Sequence, residues 1–177
     1  MVYQDNELID NMNENIEEFK YLDIKELDNN ESNFVVMLDS LEDPHNFGAI
    51  IRTCEARGIK NIIIPKDRGV VVNDTVMKTS TGALNHVNII MVTNLPNTID
   101  KLKDMGYFIY AAEADGKDYR EVDYADKKVL VIGSEGFGLS RLVRDNSDEI
   151  ISLPMNGTIN SLNASVAAGI LIYGIGD

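Results

Sequence analysis

A single cysteine, Cys54, leaves no partner for an internal disulfide. Two histidines, His45 and His86, stand far apart, and with one thiol they make no zinc site of ordinary spacing, so no metal is expected. Long apolar runs are missing as well. The longest, 166–175, holds two glycines and is about half of what a membrane span requires, which excludes a spanning helix there. Residues 2–20 are acidic where a secretory signal would begin basic, and the expectation is a soluble, cytoplasmic protein with no membrane partner. Positive charge is scarce: 16 Lys and Arg against 29 Asp and Glu give a net charge of -13, which argues against gripping nucleic acid by bulk electrostatics. No internal repeat is present. At 44% hydrophobic and 25% charged residues the composition excludes wholesale disorder, and 177 residues suffice for one domain with a real core but not for two.

The acidity is unevenly placed. Residues 1–33 carry 10 of the 29 acidic residues and only 2 of the 16 basic ones, with apolar residues too sparse for a core. They read as an acidic leader or linker, partly disordered, ahead of a body at 34–177. Within the leader, Ile16, Phe19 and Leu22 could line a short helix, and Leu22, Ile24 and Leu27 could anchor the linker to the body. In the body, six short apolar runs follow at 34–38, 61–64, 87–92, 107–112, 128–132 and 149–153. They are rich in β-branched residues and do not alternate with polar ones, as suits strands buried on both faces of a parallel sheet. Helical patterns lie between several of them. Phe47, Ile50, Ile51 and Cys54 fall at helix spacing and stop at Gly58; 95–105, 139–146 and 161–175 read as further helices. In the last, Leu162, Val166, Ile170 and Tyr173 share a face. Strand and helix alternate, so the fold class is α/β, a mostly parallel sheet flanked by helices.

Ligands of such sheets collect beyond the carboxyl ends of the strands, and three polar, glycine-containing segments sit there. The first, LEDPHNFGAIIRTCEARG at 41–58, follows the first strand; Asn46 is placed to cap the helix, and Arg52 lies off its apolar stripe. The second, LVIGSEGFGLSRLV at 130–143, puts Gly133, Gly136 and Gly138 after a strand, so that a ligand can approach the main chain. Its spacing is neither a Walker loop nor a dinucleotide fingerprint, and Glu135 disfavours a phosphate there, leaving an uncharged or cationic ligand. The third, ISLPMNGTINSLNASVAAGILIYG at 151–174, ends a strand at Pro154 and opens a helix that Asn160 or Ser161 would cap. Capping does not account for Asn163 and Ser165 so close behind. Taken singly, each segment is explained by an ordinary turn or cap.

Together and in this order, the three segments resemble the signature motifs of the SpoU/TrmH family of RNA ribose 2'-O-methyltransferases, of the SPOUT superfamily. The match covers about 34–175. The text at Lys20–Ile24 and KTSTGAL at 78–84 most resemble the branch that methylates a guanosine ribose in large-subunit rRNA. Cys54 and Ala164 stand where the family more often has alanine and valine. The resemblance implies a carboxyl-terminal trefoil knot, S-adenosyl-L-methionine as cofactor, and RNA, favourably rRNA, as substrate. It implies a homodimer paired through the final helix. By correspondence, Gly133, Leu153 and Leu162, with Gly136 and Met155 nearby, would hold the cofactor, largely through main-chain groups. Arg52 would be the leading catalytic residue, and Asn46, Glu135, Ser161 and Asn163 would position it and the ribose. Because arginine keeps its proton, Arg52 is read as binding an RNA phosphate and lowering the hydroxyl's pKa. Relatives in the rRNA branch carry a small RNA-recognition domain ahead of the body, and residues 1–33 are too few and too polar to fold as one, so this chain is expected to bind cofactor well and RNA poorly. Three other readings stay open: a non-catalytic RNA- or ribosome-binding module, a tRNA ribose methyltransferase, and an ordinary nucleotide-binding α/β domain.

Overall fold

The computed structural model describes residues 19–29, 31–134 and 138–176. Six strands form one sheet: β1 (Phe34–Asp39), β2 (Asn61–Pro65), β3 (Asn88–Val92), β4 (Phe108–Asp118), β5 (Lys128–Gly133) and β6 (Glu149–Ser152). Their order is β3-β2-β1-β5-β4-β6 and every pairing is parallel. Among the described residues, five α-helices accompany them: α1 (Pro44–Ala56), α2 (Asp74–Thr79), α3 (Leu95–Asp104), α4 (Arg141–Asn146) and α5 (Ala164–Ile175). The strands and their parallel arrangement agree with the apolar runs of the sequence.

Successive strand residues point to opposite faces, and both faces are covered. Val36, Leu38, Ile62, Leu130 and Ile132 pack under α1, α2 and α5, whereas Val35, Met37, Ile63, Val129 and Val131 pack under α3 and α4. This double burial is why the strands read as unbroken apolar runs. Phe47, Ile50, Ile51 and Cys54 are fully buried, as their spacing requires.

Several local details differ from expectation. Asp43, not Asn46, caps α1, its carboxylate accepting from the His45 N–H at 2.8 Å, because Pro44 occupies the first helical position. Asn163, not Asn160 or Ser161, caps α5, its side-chain oxygen accepting from the N–H groups of Ser165 and Val166. Strand β4 continues past Ala112 to Asp118 by way of an irregularity against β6. Phe19 and Leu22 do not lie in a helix: Leu22 makes a bridge to the β3 edge, donating to the Ile89 carbonyl at 2.9 Å and accepting from Met91 N–H at 3.1 Å. Leu27 is buried against the α3 and α4 face, with Leu22 and Ile24 packed beside it. Ile16 lies outside the described residues. Among the described residues no helix is long and apolar enough to cross a membrane, and no group of three His, Cys, Asp or Glu is placed to hold a metal.

Candidate functional site

Strands β1 and β5 are neighbours whose following helices go to opposite faces of the sheet, α1 to one and α4 to the other. That divergence opens a crevice at the carboxyl ends of the two strands, the place where doubly wound sheets take ligands. A cavity of about 410 Å³ lies there, lined by the loop after β1 (Ser40, Leu41, Glu42, Asp43), by Asn46 of α1, by Arg68, and by the loop after β5 (Ser134, Gly138, Leu139, Ser140). A cavity of about 450 Å³ also exists at the opposite end of the sheet, beside Lys60, His86 and Asn88. It sits at the amino ends of β2 and β3, where Glu55 and Gly58 at the far end of the first segment line it, away from the strand-end loops.

The crevice is held in shape by its own chain. Asp39 ends β1, only 2% exposed, and accepts from the Ser140 N–H at 2.6 Å and from the Ser40 hydroxyl at 3.0 Å. This carboxylate straps the first loop to the second. On the other side, Val70 N–H donates to the Leu41 carbonyl at 2.8 Å and ties the loop after β2 to the loop after β1. The turn after β5 closes on itself, with Gly138 N–H donating to the Ser134 carbonyl at 3.1 Å. A Cβ on Gly133 would stand 2.5 Å from the Gly138 carbonyl oxygen, so glycine is required here by loop closure as well as by any ligand. Behind the turn, Arg144 of α4 forks onto Asp115 with two hydrogen bonds of 2.8 Å and also contacts Glu113. The fork holds the Asp115 carboxyl below its ordinary range.

The residues singled out from the sequence are distributed unevenly around this crevice. Asn46 is 6% exposed and lines it, and Gly133 ends the strand beneath it. Glu135 and Gly136 lie outside the described residues. Arg52 is exposed on α1 but does not line the cavity, being six residues, or about 9 Å of helix, beyond Asn46. Leu153 is half-buried after β6, and Met155, Ser161, Leu162 and Asn163 are exposed on the segment leading into α5. In that segment residues 154–162 make no main-chain hydrogen bond to other backbone groups among the described residues. The sequence reading assigned no role in the crevice to Asp39 or Arg68. An acid closing an otherwise apolar strand was a signal for the first; nothing local announced the second.

Residues 33–173 match the SpoU rRNA Methylase family. A protein of Staphylococcus saprophyticus assigned to the TrmH family of tRNA/rRNA methyltransferases is 54% identical over 140 residues, 78% of this chain and 56% of that one. This chain therefore spans little more than half the length of that relative. Among solved structures, a TrmH/SpoU tRNA modifying enzyme of A. aeolicus superposes with a TM-score of 0.75 at 32% identity, covering 82% of this chain and 74% of its own. The SpoU methyltransferase AviRb of Streptomyces viridochromogenes, in complex with AdoMet, gives 0.75 at 28% identity over 82% of this chain and 57% of its own. An AdoMet-bound rRNA methyltransferase of Sinorhizobium meliloti gives 0.80 at 27% identity, with 88% and 60% covered.

Proposed function

The chain belongs to the SpoU rRNA Methylase family, and on that basis we propose that it transfers a methyl group from S-adenosyl-L-methionine to a ribose 2'-hydroxyl of RNA, rRNA in particular. The observation that carries this reading is the crevice at the β1/β5 divergence, into which two of the three motif segments deliver strand-end loops. The third segment supports the cofactor. Among the described residues, 154–162 make no backbone-to-backbone hydrogen bond, which leaves N–H donors and C=O acceptors for an adenosine held by main-chain contacts. Gly133, Leu153 and Leu162 would hold it, with Gly136 and Met155 beside them.

When bound, S-adenosyl-L-methionine supplies a methyl group on a cationic sulfonium, already a good electrophile. The protein's part is alignment and help with a weakly acidic hydroxyl. Arg52 has no ion-pair partner among the described residues, so its guanidinium is available to an RNA phosphate beside the target ribose. A fixed positive charge there favours the alkoxide and lowers the hydroxyl's pKa, while arginine keeps its own proton. Asn46, reaching the crevice from the first turn of α1, orients the ribose together with Glu135 and Ser161. The Asn163 side-chain oxygen is committed to the α5 cap, which leaves its amide N–H groups for substrate.

The same reading includes a homodimer. The face of α5 carrying Val166 and Tyr173 is about half exposed, and Leu162 and Ile170 continue the stripe. α5 packs along α1, with Arg57 over the Tyr173 ring at 5.4 Å, so a second copy seated on the stripe would bring its surface toward Arg52. Sedimentation should show a species twice the 19.7 kDa chain mass, and a 19.7 kDa species alone at micromolar concentration would refute pairing. We extend the proposal to a trefoil knot in the carboxyl-terminal part. The superposition on solved SpoU and rRNA methyltransferases is what supports it.

Calorimetry with S-adenosyl-L-methionine, S-adenosylhomocysteine and ATP tests the assignment. The first two should bind and ATP should not. Tight binding of ATP alone would replace the methyltransferase with an ordinary nucleotide-binding domain.

A further inference from the structure

Among the described residues, Arg68 is the one basic side chain lining the β1/β5 crevice. It stands on the loop after β2, with φ +57°, in the left-handed region that disfavours side chains. Gly69 follows immediately, yet the arginine, not the glycine, occupies the left-handed position. Strained non-glycine residues persist where their surroundings impose them, and here the Val70 N–H bond to the Leu41 carbonyl holds the loop against the crevice wall. Arg68 is exposed and has no ion-pair or hydrogen-bond partner among the described residues, although Glu42 and Asp43 line the same cavity. A guanidinium carried to the mouth of a polar crevice by a held loop, and left without an anion among the described residues, is suited to an anion brought by the ligand.

Sheet order decides which ligand. The segments assigned to the cofactor follow β5 and β6, on one side of β1, whereas Arg68 follows β2, on the other. Resting on the function proposed above, we infer that Arg68 is a substrate-binding residue that contacts a backbone phosphate of the RNA on the β2 side of the crevice, away from the cofactor. In a chain of net charge -13, one placed guanidinium matters more than it would on a basic surface, since the remaining field repels the polyanion.

The test uses the full chain with Arg68→Gln, Arg68→Lys and Arg68→Gly variants. The glycine variant also relieves the left-handed strain, so loss of RNA contact cannot be blamed on poor folding. The probe is a fluorescein-labelled ten-nucleotide single-stranded RNA of mixed sequence, titrated at several salt concentrations. Removing one phosphate contact should flatten the slope of log K against log salt by about 0.7 for the glutamine and glycine variants. Lysine should restore the slope, with weaker affinity because it lacks the planar fork. S-adenosyl-L-methionine affinity, measured in parallel, should stay within about twofold of wild type in all three, a factor worth well under 1.4 kcal/mol. Equal salt slopes in wild type and variants would overturn the inference, as would a loss of cofactor affinity, which would put Arg68 on the cofactor instead. Failure of the wild-type chain to bind S-adenosyl-L-methionine would break the methyltransferase reading itself, a result separate from the slope comparison.

Discussion

Two parts of the molecule are built in opposite ways. The crevice between β1 and β5 is strapped by its own chain: Asp39 joins two loops, Val70 joins a third, and the turn after β5 closes on itself. The segment from 154 to 162 is open, its side chains exposed and its main chain without backbone hydrogen bonds among the described residues. The first part is preorganised and needs no ligand to hold its shape. The second has few internal contacts to lose and much to gain from a ligand or a second copy. On the proposed function, the first would be the fixed frame for the reacting groups and the second would gain its order from the cofactor.

The largest effect separates chemistry from both regions. Arg52→Ala should lower methyl transfer by about a thousandfold, a size typical for removing one charge-stabilising donor. Cofactor affinity should stay near wild type by calorimetry, since Arg52 stands on α1 and not on the cofactor segments. Comparable activity in the variant would remove Arg52 from the reaction. Next, Gly133→Val attacks the strapped crevice at the end of β5. Its side chain would strike the Gly138 carbonyl, and overpacking of this kind costs about 1–3 kcal/mol. Both the thermal midpoint and cofactor affinity should fall, and an unchanged affinity would show that the turn after β5 is not part of the cofactor site.

These two positions show how differently the sequence spoke about each level. Strands were legible because both faces of the sheet are covered, which forces continuous apolar runs such as Val35–Leu38. Helix starts were less so. Asn46 and Ser161 are good capping residues by type, but the cap is decided by which residue precedes the first helical turn. Pro44 hands that role to Asp43, and α5 begins late enough to hand it to Asn163. The extension of β4 was illegible because Glu113 to Asp118 is polar and glycine-containing, its strand character coming from pairing with β6 and from the Arg144 fork. Of the site, the sequence pointed to the three segments; which of their residues share a crevice depends on strand order. Arg68 joins it from a loop whose backbone conformation is unusual for arginine and has no local signature.

Smaller effects compare the two regions directly. Asp39→Asn keeps the shape but removes the charge that strengthens the bond from Ser140 N–H, in a place only 2% exposed. Chemical denaturation should report a loss of about 1–3 kcal/mol. Asn163→Ala removes the α5 cap from the open segment and should cost about 1 kcal/mol, the ordinary value of a helix cap. The order matters more than either number. If Asn163→Ala proved the costlier of the two, the open segment would be the more tightly integrated part and the contrast between the regions would fail.

The central claim is tested most directly by where a transferred methyl group ends up. Rigorously unmodified rRNA and tRNA transcripts, incubated with the full chain and methyl-labelled S-adenosyl-L-methionine, are digested to nucleosides and separated. The account predicts label in a 2'-O-methylnucleoside, more from rRNA than from tRNA. Label confined to base-methylated nucleosides, or no label in either RNA from a chain that binds the cofactor, would contradict it.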